Sequence, residues 1–290
     1  MDRDLHDGEL RVDAGVVTAL LRAQAPTLAD LPVRAVRALG TVNRVFRIGD
    51  ALAARLPRLP DGGTDLEREA VVVPLVAAAL PVAVPEPVLL GAPDPALFPA
   101  VWAVVRWVDG RTPIPGRIAA DELADLVVAL RTVDASALPD AGRPSAERAD
   151  AATRAALARL EGFDRAAVAA MWGEALAAPT WDGRRVAVHA DLLPPNLLEQ
   201  DGRLAGVLDW GGGGAGDPAN DLVPAWSCLR GADRDRFRVR LRPDDGTWQR
   251  ARGIALAQAV VAIPYYDRTN PGFAALCRGT LTELLADRSR

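Results

Sequence analysis

Near Asp109-Gly110 the chain changes character, from a half rich in β-compatible runs to a mostly helical one, and that change limits the folds open to it. Before it, short β-compatible runs at 33–39, 44–48, 51–56, 88–91 and 101–107 are divided by turn formers, at 40–43, 49–50 and 92–99. The first three runs are close enough in sequence to form an antiparallel meander. A helix is predicted over 13–25, with Val16, Val17, Leu20 and Leu21 on one face and Asp13 as its cap. A second follows over 66–80, after a polar Pro/Gly loop at 57–65. Beyond the change, Ala- and Leu-rich segments at 120–133, 146–160 and 165–177 keep the helical period. A β interruption at 186–188 and a hairpin of 197–199 with 203–208 precede helices at 219–229, 247–263 and 273–285. The expected fold class is α+β: a small antiparallel β lobe over 1–105, a hinge at 106–110 and a larger, mostly helical lobe over 111–290. A cleft between two such halves is a common ligand site.

Composition removes several function classes. With 290 residues, half of them apolar, the chain can bury a sizeable core. Its net charge of -4 leaves no broad basic field, so nucleic acid is not an expected partner. The run Arg234, Arg236, Arg238, Arg240 and Arg242, interleaved with Asp233 and Asp235, reads as a solvated helix face. All 34 basic residues are Arg. A P-loop needs Lys after its second Gly, and Schiff-base chemistry needs an amine, so both are excluded. Cys228 and Cys277 are too few for a zinc cluster or a disulfide framework and are expected as buried small groups. The longest apolar run, near 71–84, is broken by Pro74 and Pro81, and no signal segment is evident. A soluble cytoplasmic protein without a membrane partner is expected, with a monomer favoured.

Residues 186–221 hold the densest chemistry. His189-Ala190-Asp191 is followed five positions later by Asn196, then a hairpin, then Asp209-Trp210-Gly211. Phosphoryl transfer from a nucleotide asks for a carboxylate that positions the acceptor, oxygen ligands for Mg²⁺ and cations near the phosphates. Asp191 can accept a hydroxyl proton, while Asn196 and Asp209 offer hard oxygen donors.

At these residues the sequence resembles a known family. The segment from His189 to Leu198 resembles the H-G-D-x-x-P-x-N-x-L of aminoglycoside and macrolide phosphotransferases, small-molecule kinases with a protein-kinase-like bilobal fold. Gly206-Val207-Leu208-Asp209-Trp210 and Gly216-Asp217-Pro218-Ala219-Asn220-Asp221-Leu222 are similar to that family's G-x-[IV]-D-[WF] and G-D-P-x-x-D-L. The resemblance implies Asp191 as catalytic base, Asn196 and Asp209 as Mg²⁺ ligands, ATP or GTP as phosphate donor and a small-molecule hydroxyl as acceptor. It also implies a nucleotide site from Gly40, Thr41 and Asn43 in the strand–loop–strand, Arg55 at the phosphate-binding position of the third strand, and Glu69 as its helix partner. Arg106, Trp107 and Val108 fall on the linker that reads the purine through backbone groups. Two residues depart from the pattern: Arg55 stands where kinases carry Lys, and Ala190 where the family has Gly. A guanidinium is permanently charged and binds phosphate oxygens, so Arg55 is compatible with activity.

Other readings are weighed at the same positions. Asp217 before Pro218 makes an N-cap, and Asp221 in the following turn suits the helix dipole, so both read as structural. His189 reads as a packed residue bonded to the catalytic loop rather than as a base. Tyr266 and Trp226 are candidates for the acceptor pocket, with burial in the core as the competing fate. Gly211, Gly213 and Gly216 satisfy G-x-G-x-x-G, but no βαβ unit follows, which argues against a dinucleotide fold. None of the four serines lies in G-x-S-x-G. The short step from Asp209 to Gly216 leaves no platform for a peptide and argues for a small acceptor, an antibiotic of the aminoglycoside or macrolide type or a metabolite such as an amino alcohol, sugar or glycated amine. A non-catalytic nucleotide-binding module is the competing reading. Asp233, Asp235, Asp244, Asp245 and Asp267 are the acids that a cationic acceptor would use, and ordinary solvated acids are the alternative.

Overall fold

The computed structural model describes residues 4–36, 41–141 and 143–288. Five strands, β1 (Val33–Val36), β2 (Asn43–Ile48), β3 (Leu52–Pro57), β4 (Pro87–Gly91) and β5 (Trp102–Arg106), form one sheet in the order β1-β2-β3-β5-β4. Every neighbouring pair is antiparallel. Strand alternation divides its side chains. Phe46, Ile48, Ala54, Leu56, Trp102 and Val104 pack against Val17, Leu20 and Leu21 of α1 (Ala14–Gln24). Ala53, Ala103 and Val105 turn the other way, toward Val45, Leu66 and Trp107. A one-residue slip in register would exchange these two sets, so burial on both faces fixes the pairing. The sheet also fixes Gly91: a Cβ there would sit 2.1 Å from Trp102 Nε1.

Helix α1 is capped by Asp13, whose side chain accepts from the Val16 amide. Helix α2 (Gly63–Val76) crosses between the two cores. Its first half sends Leu66 to the sheet, while Val72, Val73 and Val76 belong to the larger apolar core of the helical lobe. That lobe contains α3 (Ala120–Leu130), α4 (Ala146–Ala158), α5 (Arg165–Leu176), α6 (Pro224–Ser227), α7 (Gly231–Leu241), α8 (Asp245–Tyr266) and α9 (Pro271–Arg288). Two small antiparallel pairs lie within it: β6 (Val186–Val188) with β9 (Gly214–Gly216), and the hairpin β7 (Leu197–Gln200) with β8 (Arg203–Val207). Among the described residues no helix is long and apolar enough to cross a membrane.

Three features differ from the sequence expectation. The helix predicted over 219–229 is a 3-10 segment, Pro218–Leu222, followed by the one-turn α6. Pro224 removes an amide donor that a continuous helix would need. The Arg run does form a helix, α7, but its face is not wholly solvated. Arg234 is 3% exposed, with its guanidinium on Glu283 and Asp287 of α9 and its Nε on the Ala225 carbonyl. Strand β9 carries only Gly and Ala, so no side-chain alternation announces it. Gly214 holds φ +146° there, and a Cβ would lie 2.3 Å from the Pro139 carbonyl oxygen.

Candidate active site

Strand β6 ends at Val188 and delivers the loop that carries His189, Ala190 and Asp191. Asp221 is 1% exposed and binds this loop directly: Oδ2 accepts from the His189 amide at 2.9 Å, and Oδ1 from the Ala190 amide at 2.8 Å. Its role is therefore structural, as expected, but it holds the 189–191 loop rather than serving a helix dipole. Asp217 caps the 3-10 segment at the Ala219 amide and pairs with Arg250. His189 is fully buried, and burial pushes its pKa down despite the nearby acids Asp221 and Asp191. Its Nδ1 accepts from the Asp191 amide at 3.2 Å and its Nε2 donates to the Leu208 carbonyl at 2.9 Å. With both nitrogens engaged, the ring is a spacer between the two acidic loops. Trp210 packs edge-on against it, with ring centres 4.4 Å apart.

Two non-glycine residues of the site have left-handed backbone, Ala190 at φ 65° and Asp209 at φ 63°. Such conformations cost about 1 kcal/mol or more for a residue with a Cβ, and they persist where surrounding bonds overdetermine them. Ala190 is held by Asp221, and the methyl that replaces the family's Gly is 2% exposed.

Asn196 follows from a 3-10 turn, Pro194–Asn196, and its side chain folds back on the loop. Nδ2 donates to the Asp191 carbonyl at 2.9 Å and to Asp191 Oδ2 at 3.0 Å. The Leu208 amide donates to the Asn196 carbonyl at 2.8 Å, which places Asp209 one residue beyond that bond. From the sheet side, Arg55 donates through Nη2 to Asp209 Oδ1 at 3.0 Å, while Nη1 forms an ion pair with both oxygens of Glu69. Burial, followed by repulsion from Asp209, pushes the Glu69 carboxyl up to about 7, against the opposing pull of Arg55. Five residues singled out in the sequence thus converge: Asp191, Asn196, Asp209, Arg55 and Glu69.

A divalent ion can be tested against these donors. The Asn196 carboxamide spends its nitrogen on Asp191, and among the described residues nothing donates to its oxygen. Together with the Asp209 carboxylate this is an all-oxygen set, and no cluster of three His, Cys, Asp or Glu that could hold a metal occurs among the described residues. Mg²⁺ uses one or two protein carboxylates and completes its octahedron with water and phosphate oxygens, so the set fits it.

The remaining nucleotide candidates lie along the sheet. Gly40 falls outside the described residues. Thr41 follows, and its carbonyl lies 2.8 Å from His6 Nε2; Asn43 is buried where β2 begins. On the linker, the Arg106 amide donates to the Glu86 carbonyl and the Trp107 amide to the Ala51 carbonyl, each at 2.8 Å. Those two amides are therefore committed within the lobe. Among the described residues the Val108 amide has no such acceptor. The Trp107 indole donates to Asp109 at 2.8 Å and lies under the Arg47 guanidinium, 4.4 Å from the ring centre.

Two residues at the site carried no sequence signal. Arg143 lies before α4, its Nε donating to the Ala190 carbonyl at 3.1 Å and its Nη2 paired with Asp191 Oδ1. Gln258 of α8 sets its amide beside Asp191 Oδ1 and the same guanidinium, and assigning the nearer amide atom as oxygen lets it accept from Arg143 Nε at 2.9 Å and Nη2 at 3.1 Å. Beyond Arg143 opens a cavity of about 700 Å³, walled by Trp172, Trp181 and Ile254. Trp226 and Tyr266 do not line it. Trp226 is fully buried, with its indole on Asp287, and Tyr266 packs edge-on against Phe273.

Comparisons with known proteins define the family and the fold. The model of a family described as "Phosphotransferase enzyme family" matches residues 34–254, and the chain belongs to that family. Among solved structures, a GDP complex of wild-type aminoglycoside 2'-phosphotransferase-IIIa superposes with a TM-score of 0.73 at 16% identity, over 96% of this chain and 100% of that one. The apoenzyme of macrolide 2'-phosphotransferase MphH from Brachybacterium faecium gives a TM-score of 0.61 at 24% identity, covering 92% of this chain and 97% of that one. At such identities the likeness is one of fold: a protein-kinase-like antiparallel β lobe above a helical lobe. An uncharacterized protein, YcbJ, of Bacillus subtilis (strain 168) is 46% identical over 44 residues, so the match spans 15% of this chain and 14% of that relative's length.

Proposed function

We propose that the protein is a nucleotide-dependent small-molecule kinase, moving the γ-phosphate of ATP or GTP to a hydroxyl of its acceptor. The observation that carries this reading is the contact path from Arg55 through Asp209 to Asn196 and Asp191. It links the sheet lobe to the Asp191 loop, with the step from Asp209 to Asn196 made by the backbone bond of the adjacent Leu208. Asp191 takes the hydroxyl proton as the acceptor oxygen bonds to the γ-phosphorus, and the bond from phosphorus to the nucleoside diphosphate oxygen breaks. Arg55, aimed by Glu69, steadies the phosphates, and Asn196 holds the Asp191 carboxylate in position. Mg²⁺, held by Asn196 and Asp209, supplies positive charge to the phosphate oxygens when bound. The base slot is the apolar sheet face of Val45, Ala53, Ala103 and Val105, with the Val108 amide as its donor. Thr41 and Asn43 border the phosphate end.

The named substrates of structural neighbours, kanamycin for one and a macrolide for another, bring both antibiotic types into an acceptor screen. A metabolite acceptor is favoured over an aminoglycoside by one observation. Asp244 caps α8, Asp245 pairs with Arg238, Asp267 pairs with Arg278, and Asp233 neighbours Arg236; none of these four lines the cavity, whose own carboxylates are Glu147 and the Arg250-paired Asp217. The decisive experiment compares wild type with Asp191→Ala across antibiotics and metabolite alcohols, using both nucleotides. Turnover is lost in the variant while nucleotide affinity persists. Full activity in Asp191→Ala overturns the assignment.

A further inference from the structure

Both oxygens of Asp191 are occupied: Oδ2 by Asn196 and Oδ1 by Arg143. Each oxygen can accept a second hydrogen bond, but to take a proton Asp191 must be released from at least one of the donors that hold its charge. Asn196 is fixed by a buried turn, whereas the Arg143 side chain is 38% exposed, so Arg143 is the partner that gives way. The same residue lines the cavity, and its backbone amide is anchored to Asn220 Oδ1 at 2.8 Å. The Arg143 guanidinium therefore joins the cavity wall to the base.

The charges around that cavity are uneven. Of the arginines lining it, Arg250 is already paired with Asp217, but the exposed Arg148 has no ion-pair partner among the described residues. Glu147 lines the cavity too, with its carboxyl held below the usual range by the Ser145 side chain at the start of α4. No carboxylate lining the cavity is paired with Arg143 or Arg148. A polycation entering here meets Arg148 and the Asp191-paired Arg143 against the single carboxylate of Glu147, while a carboxylate or phosphate finds guanidinium forks that can bind it in bidentate fashion.

We propose that this cavity takes a hydroxylated acceptor that carries an acidic group and an apolar body, and that the acidic group draws Arg143 off Asp191. Arg143 is then a positioning residue: it masks the base while the cavity is empty and anchors the acceptor when it is filled. The inference rests on the kinase reading above for the identity of the base. Binding, however, is testable without turnover.

Phenyl β-D-glucuronide and phenyl β-D-glucoside share an apolar ring and hydroxyls and differ in one carboxylate; kanamycin serves as the polycation. Calorimetric titration of the intact protein is expected to give the glucuronide an advantage of about tenfold over the glucoside, the scale of one charge-assisted contact. Arg143→Gln removes that advantage and raises acceptor-free nucleotide hydrolysis severalfold. Arg148→Gln, which removes the cavity's second guanidinium, weakens glucuronide binding as well. Three results overturn the inference: no binding of the glucuronide, glucoside or kanamycin binding as well, or a preference that survives Arg143→Gln. Arg143-dependent binding without any phosphate transfer would sink the kinase reading alone.

Discussion

Arg55 of β3 reaches Asp209 Oδ1 at 3.0 Å across 154 positions of sequence. The cation expected at the phosphates is thus aimed from two sides, by a helix carboxylate and by a proposed metal ligand. A lysine has one ammonium and cannot serve Glu69, Asp209 and phosphate in the same planar geometry. Arg55→Lys is expected to lower kcat/KM for the nucleotide by about tenfold to a hundredfold, the scale of a lost hydrogen bond to a charged group. Steady-state kinetics against ATP and GTP measures it, and an unchanged value removes Arg55 from the phosphate site.

The Glu69 carboxyl, raised to about 7 by burial, gives the reaction an acid limb. Below that value Glu69 takes up a proton and Arg55 keeps only Asp209 as a charged partner, so kcat/KM climbs as pH rises through about 7 and then levels. Stability responds with the opposite sign. The folded state holds this proton more tightly than the unfolded chain, so the contribution is full below the ordinary value of 4.5 and fades as pH rises through about 7. Glu69→Gln abolishes both dependences. A pH–rate profile and a pH series of melting temperatures, run on wild type and variant, test the pair of signs.

Asp221 satisfies two buried amides of the catalytic loop. Asp221→Ala strands both, at a cost of about 3 kcal/mol in urea unfolding, since each unsatisfied buried donor costs about 1–3 kcal/mol. Activity is expected to fall further than stability alone accounts for, because Ala190 and Asp191 lose their backbone anchor. A variant that unfolds at the wild-type urea concentration would contradict the role.

Gly211 packs against α2, where a Cβ would stand 2.7 Å from the Asp65 Cβ. Gly211→Ala pushes the helix that carries Glu69 away from the Asp209 loop. The expected cost is about 2 kcal/mol, the usual scale of overpacking, with a matching loss of nucleotide affinity. Nucleotide titration separates that effect from simple destabilisation.

Much of the fold is legible in the residues because period and burial agree. In β2 and β3, Phe46, Ile48, Ala54 and Leu56 alternate with Val45, Ala53 and Arg55, and the sheet buries both sets. Asp191, Asn196 and Asp209 are legible because spacing along one loop and one hairpin brings them together. Arg143 and Gln258 are not. Each is a lone polar residue, one in a Pro-containing loop and one inside a long helix, and only the tertiary packing of α8 against the loop joins them to Asp191. Strand β9 escapes for a different reason: its glycines are selected by the close approach of Pro139, which leaves no pattern in sequence. Arg234 escapes because charge alone cannot tell a solvated arginine from one buried against acids on a distant helix.

An arginine at position 55, in a chain without a single lysine, changes which reagents can report on the pocket. Nucleotide analogues that acylate a side-chain amine find no such target, so chemoproteomic labelling built on them passes this protein by. Dicarbonyls, which condense with guanidinium groups, are the matching probes, and protection of Arg55 by bound nucleotide would register occupancy directly.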